Sequence, residues 1–395
     1  MSSSVPHFDF IIAGGGIAGL STAIALAKSE KSCLMLEKSA EIQSFGAGIQ
    51  LGPNVLRVID ELGLRADVEP FLAYPEKVQL RDGPTGSLLN SIDLGLDFQV
   101  RYQSPYAVVH RGDLADVLYN YCANDTRVTV QTGMTVSSWD VDPDLIAVAT
   151  ACGQQFTADL LVGADGLWSE TRKAVAGYKE PHFTGHVAFR ALVDREVLSG
   201  EFLSNRSVNW MGRGAHLVHY PVAKGHKINL VAVCEGKQFD RNWNNQPNLK
   251  PLKTAFSGFD QQVKDAIDNI DNWRSWPLFD RNPSAAMVGD RLALVGDASH
   301  PMLPYLAQGA GMAIEDAFCL ANSLAASETL ESGLQCYQDR RAARIRRVVT
   351  QSRKLGNIYH ARGLVRLGRN LVLRTKSQDS LLKRLDWLYG HNLKP

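Results

Sequence analysis

The fold is decided near the start of the chain, where residues 8–19 read FDFIIAGGGIAG. The apolar run at 8–13 ends in three glycines, which is typical of a buried β-strand followed by a tight turn. Apolar residues then recur with helical spacing at Ile17, Leu20 and Ile24, and a second apolar run follows at 33–36. This order predicts a strand, a helix and a second, parallel strand, which together form one βαβ unit.

The glycines of this turn match the G-x-G-x-x-G pattern of dinucleotide-binding proteins, with Gly14, Gly16 and Gly19 at the three glycine positions. Such glycines let backbone N–H groups approach a pyrophosphate at the helix N-terminus. Glu37, at the end of the second strand, can accept hydrogen bonds from a ribose. A glycine-rich turn that only packs the helix on the strand is the alternative. The pattern favours dinucleotide binding, but it does not distinguish NAD from FAD.

Two further apolar runs end in acidic turns. The first reads LVGADG at 161–166, and the second reads LVGDASHP at 294–301 and continues to the small residues at 309–311. Asp297 could hold a ribityl or ribose hydroxyl, and a helix opening at 309 could stabilise the negative charge of a reduced flavin. Each motif alone is equally compatible with an Asx turn that closes a strand. We expect His300 to order the second turn and not to act in catalysis.

In this order and at these separations, the three motifs resemble those of the single-component FAD-dependent aromatic hydroxylases, a family that includes salicylate hydroxylase and 3-hydroxybenzoate 6-hydroxylase. The resemblance spans residues 8 to about 325. It implies a non-covalently bound FAD, O2 as co-substrate, and a flavin hydroperoxide that hydroxylates an aromatic ring. Because no second nucleotide fingerprint is present, NADH or NADPH is expected to dock transiently, and the residues do not tell these two coenzymes apart.

The resemblance also implies a set of cofactor-binding residues at the glycine-rich turn, the strand ends and the helix starts. They are Gly14, Gly16, Ala18, Gly19, Glu37, Lys38, Gly48, Arg111, Asp165, Gly166, Asp297, Pro304, Gly309, Ala310 and Gly311. The turn at 165–166 is expected to serve both FAD and the pyridine nucleotide. For Arg111 the alternative is an ion pair with Asp113 or Asp116 at a helix start.

The predicted fold class is α/β, with a Rossmann-like FAD-binding domain, an inserted substrate domain built on a mixed or antiparallel sheet, and a C-terminal helical segment. The FAD-binding domain is expected at 1–75, 98–180 and 284–330. The substrate domain is expected at 76–97 and 181–283, since the residues at 217–220 and 228–233 alternate as in antiparallel strands. The basic C-terminal segment comprises residues 331–395.

Two residues of the substrate domain, His216 and Tyr220, are the predicted catalytic pair. Four positions apart on one strand, their side chains face the same side, while His219 faces the other. Related hydroxylases carry a matching pair, and the resemblance implies that it removes or shares the phenol proton, which makes the ring more electron-rich. The alternative is a buried histidine beside a half-buried tyrosine, without a chemical role.

Differences from relatives narrow the predicted substrate. Gln50 and Tyr305 stand where similar 6-hydroxynicotinate hydroxylases carry histidines, and the residues before Tyr305 lack the glutamine of 3-hydroxybenzoate 6-hydroxylases. The remaining match predicts salicylate, converted to catechol with loss of CO2, and leaves 3-hydroxybenzoate and hydroxynicotinate as alternatives. Arg190 and Arg213 are candidates for binding the substrate carboxylate. Alternatives of another class are a flavin oxidase or reductase acting on a non-aromatic substrate, and an NAD-dependent dehydrogenase.

The composition of the 395-residue chain is that of a globular enzyme, with 45% hydrophobic residues and a formal net charge of +1. No apolar run of about 18 residues occurs, so no transmembrane segment is predicted and a cytoplasmic enzyme is expected. The six cysteines lie far apart without the spacing of a metal site. Residues 340–395 contain 15 Lys and Arg against two Asp and Glu, whereas residues 1–339 contain 27 against 39. Basic charge confined to one segment argues against a nucleic-acid partner.

The basic segment is expected to form a solvated helical face, or to contact the acidic body of this chain or of a second subunit in a homodimer. A weak contact with anionic lipid is the alternative, because leucines at 364, 367, 371 and 373 are interleaved with basic residues and could form an interfacial helix.

Overall fold

The computed structural model describes residues 5–42, 48–237, 247–283 and 286–393. The predicted domain boundary at 284 and the two ends of the chain, 1–4 and 394–395, lie outside the described residues.

The secondary structure alternates between strands and helices in the first half and becomes helical after residue 309. In chain order the strands are β1 (His7–Ala13), β2 (Cys33–Glu37), β3 (Gly48–Leu51), β4 (Lys77–Asp82), β5 (Leu88–Asp93), β6 (Ala107–His110), β7 (Val128–Thr132), β8 (Val136–Val141), β9 (Ile146–Thr150), β10 (Gln155–Gly163), β11 (His182–Asp194), β12 (Arg206–Gly212), β13 (Ala215–Val222), β14 (Lys227–Glu235), β15 (Arg274–Asp280), β16 (Val288–Gly289) and β17 (Leu292–Leu294). The helices are α1 (Ile17–Ala27), α2 (Pro53–Glu61), α3 (Arg65–Val68), α4 (Leu96–Tyr102), α5 (Arg111–Asn124), α6 (Lys250–Phe256), α7 (Gln261–Asp268), α8 (Gly309–Ala325), α9 (Leu330–Tyr359), α10 (Gly363–Thr375), α11 (Gln378–Lys383) and α12 (Asp386–Tyr389).

The first sheet contains the βαβ unit, with strand order β16-β17-β10-β1-β2-β7, and β8 and β9 extend it beside β10. Strands β7, β2, β1, β10 and β17 run parallel to one another, which confirms the parallel strands predicted before the two acidic turns. Ala13 pairs with Gly163, and Gly163 pairs with Leu294, so the three motif turns leave the same edge of the sheet. Ligands of open α/β sheets bind at this edge.

The second sheet has the strand order β15-β11-β14-β13-β12-β4-β5. The pairing of β13 with β14 is antiparallel, as predicted from the alternating residues. β4 joins by parallel pairing with β12, and β5 follows as a hairpin, which makes the sheet mixed. One face packs on α6 and α7 through a core that includes Trp210, Phe256 and Trp273, so the opposite face is left to meet the first sheet's loops.

The predicted fold class is confirmed, because a parallel sheet flanked by helices is joined to a mixed sheet and followed by a helical C-terminal segment. Where the domains divide stays a prediction. None of the helices formed by the described residues is long and apolar enough to cross a membrane.

The C-terminal segment is only partly a solvated basic face, because some of its arginines are buried or paired while others, such as Arg346 and Arg347, are exposed. Arg341 is completely buried, and Arg366 and Arg369 form ion pairs with Asp82 of β4. Contact with the acidic body of the same chain, one of the two predicted arrangements, is therefore confirmed. Helix α10 leaves an apolar face exposed, on which Leu364 is 84% exposed. A single chain tests neither the homodimer nor the lipid contact, and both stay predictions.

A buried ionic network joins α9 to α8. Arg341 donates to Asp316 Oδ1 and to Glu315 Oε2, both at 2.7 Å. Arg344 donates to both carboxylate oxygens of Glu315, at 2.6 and 2.7 Å. Burial alone would raise the pKa of Glu315, but the charges of Arg344 and Arg341 hold it below its usual value. Both carboxylates are therefore kept ionised inside the protein.

The same network fixes the second acidic turn. Asp316 Oδ2 accepts a hydrogen bond from the backbone N–H of Gly296 at 3.0 Å and is bonded to His300 Nε2 at 2.5 Å. His300 thus orders the turn, as predicted. Because Asp297 follows Gly296 directly, the position of its carboxylate depends on a salt bridge made by the C-terminal segment.

We expect Arg341→Gln to lower the free energy of unfolding by about 3–5 kcal/mol, because it removes the guanidinium that pairs with both buried carboxylates and leaves Asp316 without an arginine. Arg346→Gln on the exposed side of the same helix is the matched control and should stay within about 0.5 kcal/mol of the wild type. Urea unfolding at saturating FAD measures both. Since the folded-state pKa of Glu315 is depressed, the stabilisation should be complete above about pH 5 and decline as the pH falls below about 4. Equal losses in the two variants would contradict a special role of the network.

Candidate active site

The glycine-rich turn between β1 and α1 has no room for a side chain at two of its glycines. A Cβ on Gly19 would lie 1.9 Å from the carbonyl oxygen of Gly14, and a Cβ on Gly14 would lie 2.5 Å from that of Ala164. Gly14 also has a φ of +110°. A Cβ on Gly16 would meet nothing within 4 Å, so this residue faces open space at the start of α1. A pyrophosphate fits such an opening.

Glu37 is held against the same turn. Its Oε2 accepts a hydrogen bond from the N–H of Gly15 at 2.6 Å, and its Oε1 accepts one from the N–H of Ser39 at 2.8 Å. The carboxylate is thereby fixed at the end of β2, with a second lone pair on each oxygen for a ribose hydroxyl. Lys38 beside it is exposed, and Ala18 is half-buried in the first turn of α1.

The turn that carries Asp297 packs between the first turns of α1 and α8. A Cβ on Gly296 would lie 2.9 Å from Ala18 Cβ and 3.2 Å from Ala313 Cβ. The Asp297 side chain is accessible to solvent, yet it lies among many protein atoms. Both hold for a side chain that faces a cleft. Burial raises its pKa, and the nearby charges of His300 and Arg111 only partly offset this. A hydroxyl donor in the cleft would satisfy this carboxylate.

The N-terminus of α8 opens into the same region. Pro304 begins a short 3-10 turn, and α8 starts at Gly309 with no side chain capping its first N–H groups. Gln308 could have capped them, but its amide oxygen accepts a hydrogen bond from Asn54 at 3.0 Å. Half-buried Gly309 and Ala310 thus present the positive end of a helix dipole, which suits an anionic flavin ring. Gly311 is buried against Val55.

Arg111 links the cofactor half of the site to the substrate half. It is exposed at the start of α5, and its charge acts on both Asp297 and Arg190. Asp113 is bonded to His110 at 3.2 Å, and within the described ranges no ion pair joins Arg111 to Asp113 or Asp116. The alternative of a purely local ion pair is thus not what the structure shows.

The side chain of Asp165 closes its own turn. Its Oδ2 accepts hydrogen bonds from the N–H groups of Glu170 and Thr171 at 2.9 and 3.0 Å, and its Oδ1 accepts one from the Thr171 hydroxyl at 2.7 Å. This is the Asx-type arrangement given as the alternative. Gly166 is open, with no atom within 4 Å of an added Cβ, so the backbone is the part of this turn that a ligand could approach.

On the substrate side, the residues of β13 alternate as predicted. His219 packs between Phe202 and Trp210 in the core of the second sheet, with ring centroids 4.3 and 6.3 Å away. His216 and Tyr220 point to the opposite face, with half-buried Val218 between them. Two positions of a strand four residues apart are about 13 Å apart. We assign the stretch of this face between His216 and Tyr220, with Val218 in the middle, as the candidate substrate pocket.

At one end, Tyr220 lies beside Gln50 and Arg190. Gln50 is hydrogen-bonded to Tyr220 and accepts a hydrogen bond from Tyr106. Burial lowers the pKa of Arg190 to about 10, and its guanidinium stacks on Trp276 at 4.6 Å from the ring centroid. Arg190 Nε is buried without a hydrogen-bond partner, and no carboxylate of the described residues forms an ion pair with it. This end therefore presents a cation that lacks an anion.

Gly48, assigned above to the cofactor, sits at this end of the pocket. A Cβ on it would lie 2.4 Å from Tyr220 Cε2, and its N–H donates to Asn229 Oδ1 at 2.7 Å. Arg213, in contrast, is exposed in the hairpin turn between β12 and β13. Its proposal as a carboxylate ligand is corrected, because the side chain is directed to solvent at the tip of the hairpin.

At the other end, His216 meets Tyr305 and two residues that the sequence did not single out, His360 and Tyr359. His216 Nδ1 lies 2.8 Å from His360 Nε2, and the rings of Tyr305 and Tyr359 are both 5.3 Å away between centroids. Burial, and then the nearby His360 and His186, lower the pKa of His216 well below its usual value. A neutral imidazole is therefore present at neutral pH, and it can accept a proton.

Substitutions at Gly19 and Gly16 offer a direct test of the cofactor turn. We expect Gly19→Ala to destabilise the fold and to abolish FAD retention, because the added methyl group would overlap the backbone of Gly14. Gly16→Ala should leave the unfolding midpoint of the FAD-free protein unchanged, yet weaken FAD binding, because its methyl group would enter the cofactor space. Unfolding of the apoprotein and titration with FAD by fluorescence quenching separate the two effects. Equal stability losses would contradict this arrangement.

Comparisons with known proteins agree with this geometry. A family model described as an FAD binding domain matches residues 7–352. The chain is 36% identical over 385 residues to 3-hydroxybenzoate 6-hydroxylase 1 of Aquipseudomonas alcaligenes, covering 97% of this chain and 98% of that protein. Two solved structures are each 26% identical: Klebsiella pneumoniae HpxO with FAD and uric acid (TM-score 0.86, covering 96% and 95% of the two chains), and a salicylate hydroxylase substrate complex (TM-score 0.81, covering 99% and 97%).

These similarities extend over nearly the whole chain, and the turn at Gly16, the carboxylates of Glu37 and Asp297 and the open start of α8 fit FAD. The chain belongs to the family of single-component FAD-dependent aromatic hydroxylases, which are monooxygenases that use FAD as cofactor and NAD(P)H as co-substrate.

Proposed function

We propose that this enzyme hydroxylates 3-hydroxybenzoate at carbon 6, using O2 and NAD(P)H. The similarity to 3-hydroxybenzoate 6-hydroxylases over 97% of the chain supports this alternative over salicylate, the substrate first predicted. The preference for salicylate rested on Gln50, Tyr305 and the missing glutamine before Tyr305. For the choice of substrate, those three positions are weaker evidence than similarity over nearly the full length of the chain.

The observation that carries the proposal is the unpaired guanidinium of Arg190 beside Tyr220. Leaving a half-buried cation without an anion is unfavourable, so the site favours a ligand that brings a carboxylate. The face between the two ends is apolar, since Val218 and Val231 pair across the sheet there. A small aromatic ring with a carboxylate at the Arg190 end matches both features.

The phenol of the substrate would then point toward His216. As a neutral imidazole, His216 can accept the phenol proton, and the resulting phenolate donates electron density to ring positions ortho and para to the oxygen. In 3-hydroxybenzoate, carbon 6 is para to the hydroxyl group. Bound FAD supplies the activated oxygen, and the chain's part is to orient the ring, exclude water and take up the proton.

Tyr220 has a positioning part in this mechanism. Burial raises its pKa, although Arg190 and the hydrogen bond with Gln50 lower it in part. The hydroxyl group therefore stays protonated and can donate a hydrogen bond to the bound carboxylate. Its contact with Gly48 leaves no room for the ring to move toward β3.

A panel of 2-, 3- and 4-hydroxybenzoate, salicylate being the 2-isomer, and 6-hydroxynicotinate tests the proposal. We expect 3-hydroxybenzoate to give the largest stimulation of NAD(P)H oxidation, with 2,5-dihydroxybenzoate as product. Arg190→Met should raise KM for this substrate about 10- to 100-fold, the loss expected for a charged hydrogen bond. Arg213→Met, an exposed arginine of the same sheet, should leave KM unchanged. NADH and NADPH are compared in parallel.

Three results would contradict the proposed function or a part of its mechanism. Catechol formed from salicylate, with no product from 3-hydroxybenzoate, would restore the first prediction. An unchanged KM in Arg190→Met would show that the carboxylate binds elsewhere. Turnover of 3-hydroxybenzoate that persists fully in His216→Ala and in Tyr220→Phe, with FAD content preserved, would remove the catalytic pair from the mechanism.

A further inference from the structure

We infer that His360 and His186 relay to solvent the proton that His216 takes from the substrate, an inference that rests on the proposed function. Three imidazoles from different elements meet at this end of the pocket: His216 on β13, His360 directly after α9 and His186 on β11. His216 Nδ1 and His360 Nε2 are 2.8 Å apart, and the rings of His360 and His186 are 5.0 Å apart between centroids. The three rings therefore form a continuous row.

The second step of the row, from His360 to His186, is not hydrogen-bonded in the structure. Its ring centroids are as close, at 5.0 Å, as those of His216 and His360, whose nitrogens are at hydrogen-bond distance. The relay requires the His186 ring to rotate until one of its nitrogens reaches His360. Nδ1 of His360 and Nδ1 of His186 are both buried, and neither has another partner among the described residues. Both nitrogens are thus available to each other.

The row leads from the interior to the surface. His216 is 3% exposed and His360 is 8% exposed, whereas His186 is partly exposed. His186 pairs across the sheet with Glu235, whose carboxylate is exposed and forms an ion pair with Arg362. Glu235 favours the protonated form of His186, which opposes the effect of burial on its pKa. A proton that reaches His186 is therefore next to solvent.

The other groups that face the row do not compete for the proton. The rings of Tyr305 and Tyr359 pack on His216 from the short turn after Pro304 and from α9. Burial raises the pKa of Tyr359 to about 12 and also raises that of Tyr305, so both phenols stay protonated. Arg362 lowers the pKa of His360 and cannot accept a proton. The imidazoles are the acceptors that remain in this row.

Burial makes a relay necessary, because neither of the two buried imidazoles, His216 and His360, can hold the proton. Burial, His186 and Arg362 together lower the pKa of His360 to about 3, and the pKa of His216 is also strongly lowered. An imidazolium at either position would be unstable at neutral pH. The proton taken from a phenol must therefore continue outward, or the phenol stays protonated.

The transfer balances. The substrate O–H bond breaks and its proton binds Nε2 of His216, while the proton on Nδ1 of His216 passes to Nε2 of His360. The proton on Nδ1 of His360 then passes to His186, which releases its other ring proton to water. One proton leaves the phenol, one appears in solvent, and no electron is transferred. A proton returning along the row at the end of the cycle resets the tautomers.

Rapid mixing of oxidised holoenzyme with 3-hydroxybenzoate in weak buffer with a pH indicator tests the relay. Phenolate absorbance and proton release are followed together, and in the wild type we expect equal rates. In His186→Gln, proton release should slow at least about tenfold, with FAD content and substrate Kd unchanged, and added imidazole should restore it. His360→Gln should slow both signals. His182→Gln, an exposed histidine of the same strand, should behave as the wild type.

Wild-type rates of proton release in both His186→Gln and His360→Gln would overturn the relay. Slow release in His186→Gln that imidazole does not restore would overturn it as well, because a packing defect is not repaired by a base in solution. A wild-type enzyme that binds none of the hydroxybenzoates would instead contradict the proposed function, and the two failures are distinguishable in the first mixing experiment.

Discussion

The ionic network of Arg341 and Arg344 with Glu315 and Asp316 is the interaction on which the rest of the site depends. It is costly to desolvate, and it is stable only because every carboxylate oxygen is engaged. Through Asp316 it fixes the turn at 296–300, in which Gly296 packs against Ala18 of α1 and Ala313 of α8. The open space at Gly16 and the uncapped start of α8 lie on either side of this turn. A C-terminal helix thus determines the shape of a cofactor site built by residues far from it in sequence.

The substrate half of the site is held by contacts of a different kind. Arg111 acts electrostatically on both Asp297 and Arg190, so it connects the first sheet's loops with the face of the second sheet that lies opposite α6 and α7. That face is apolar in the middle and polar at its ends, with Arg190 and Tyr220 at one end and His216 at the other. A negatively charged ring acid can satisfy Arg190 although the body of the protein is acidic, because the cation lies inside the pocket.

Much of this architecture could be predicted from local sequence. The alternation on β13 placed His216 and Tyr220 on one face, and the three strand-and-turn motifs placed their ends at one sheet edge, because both inferences depend only on backbone geometry. The function of Asp165 was harder to predict. A carboxylate at a strand end can bind a ligand or close its own turn, and only the hydrogen bonds to Glu170 and Thr171 decide between them. The substrate branch also could not be read from Gln50 and Tyr305 alone.

The C-terminal segment shows where sequence reasoning stops. Its excess of arginines predicted contact with solvent, with the acidic body or with lipid, but net charge carries no information about which guanidinium meets which carboxylate. Arg341 and His360 therefore went unnoticed, although the buried stripe of α9 could have pointed to Arg341, because that residue lies four positions after Tyr337 and four before Ile345.

Incorporation of oxygen from O2 tests the central claim most directly. The purified enzyme, supplied with 3-hydroxybenzoate, NAD(P)H and O2 enriched in oxygen-18, should form 2,5-dihydroxybenzoate that carries one labelled oxygen atom in the new hydroxyl group. A product without label, or consumption of NAD(P)H that yields only hydrogen peroxide with each of the hydroxybenzoates, would contradict it.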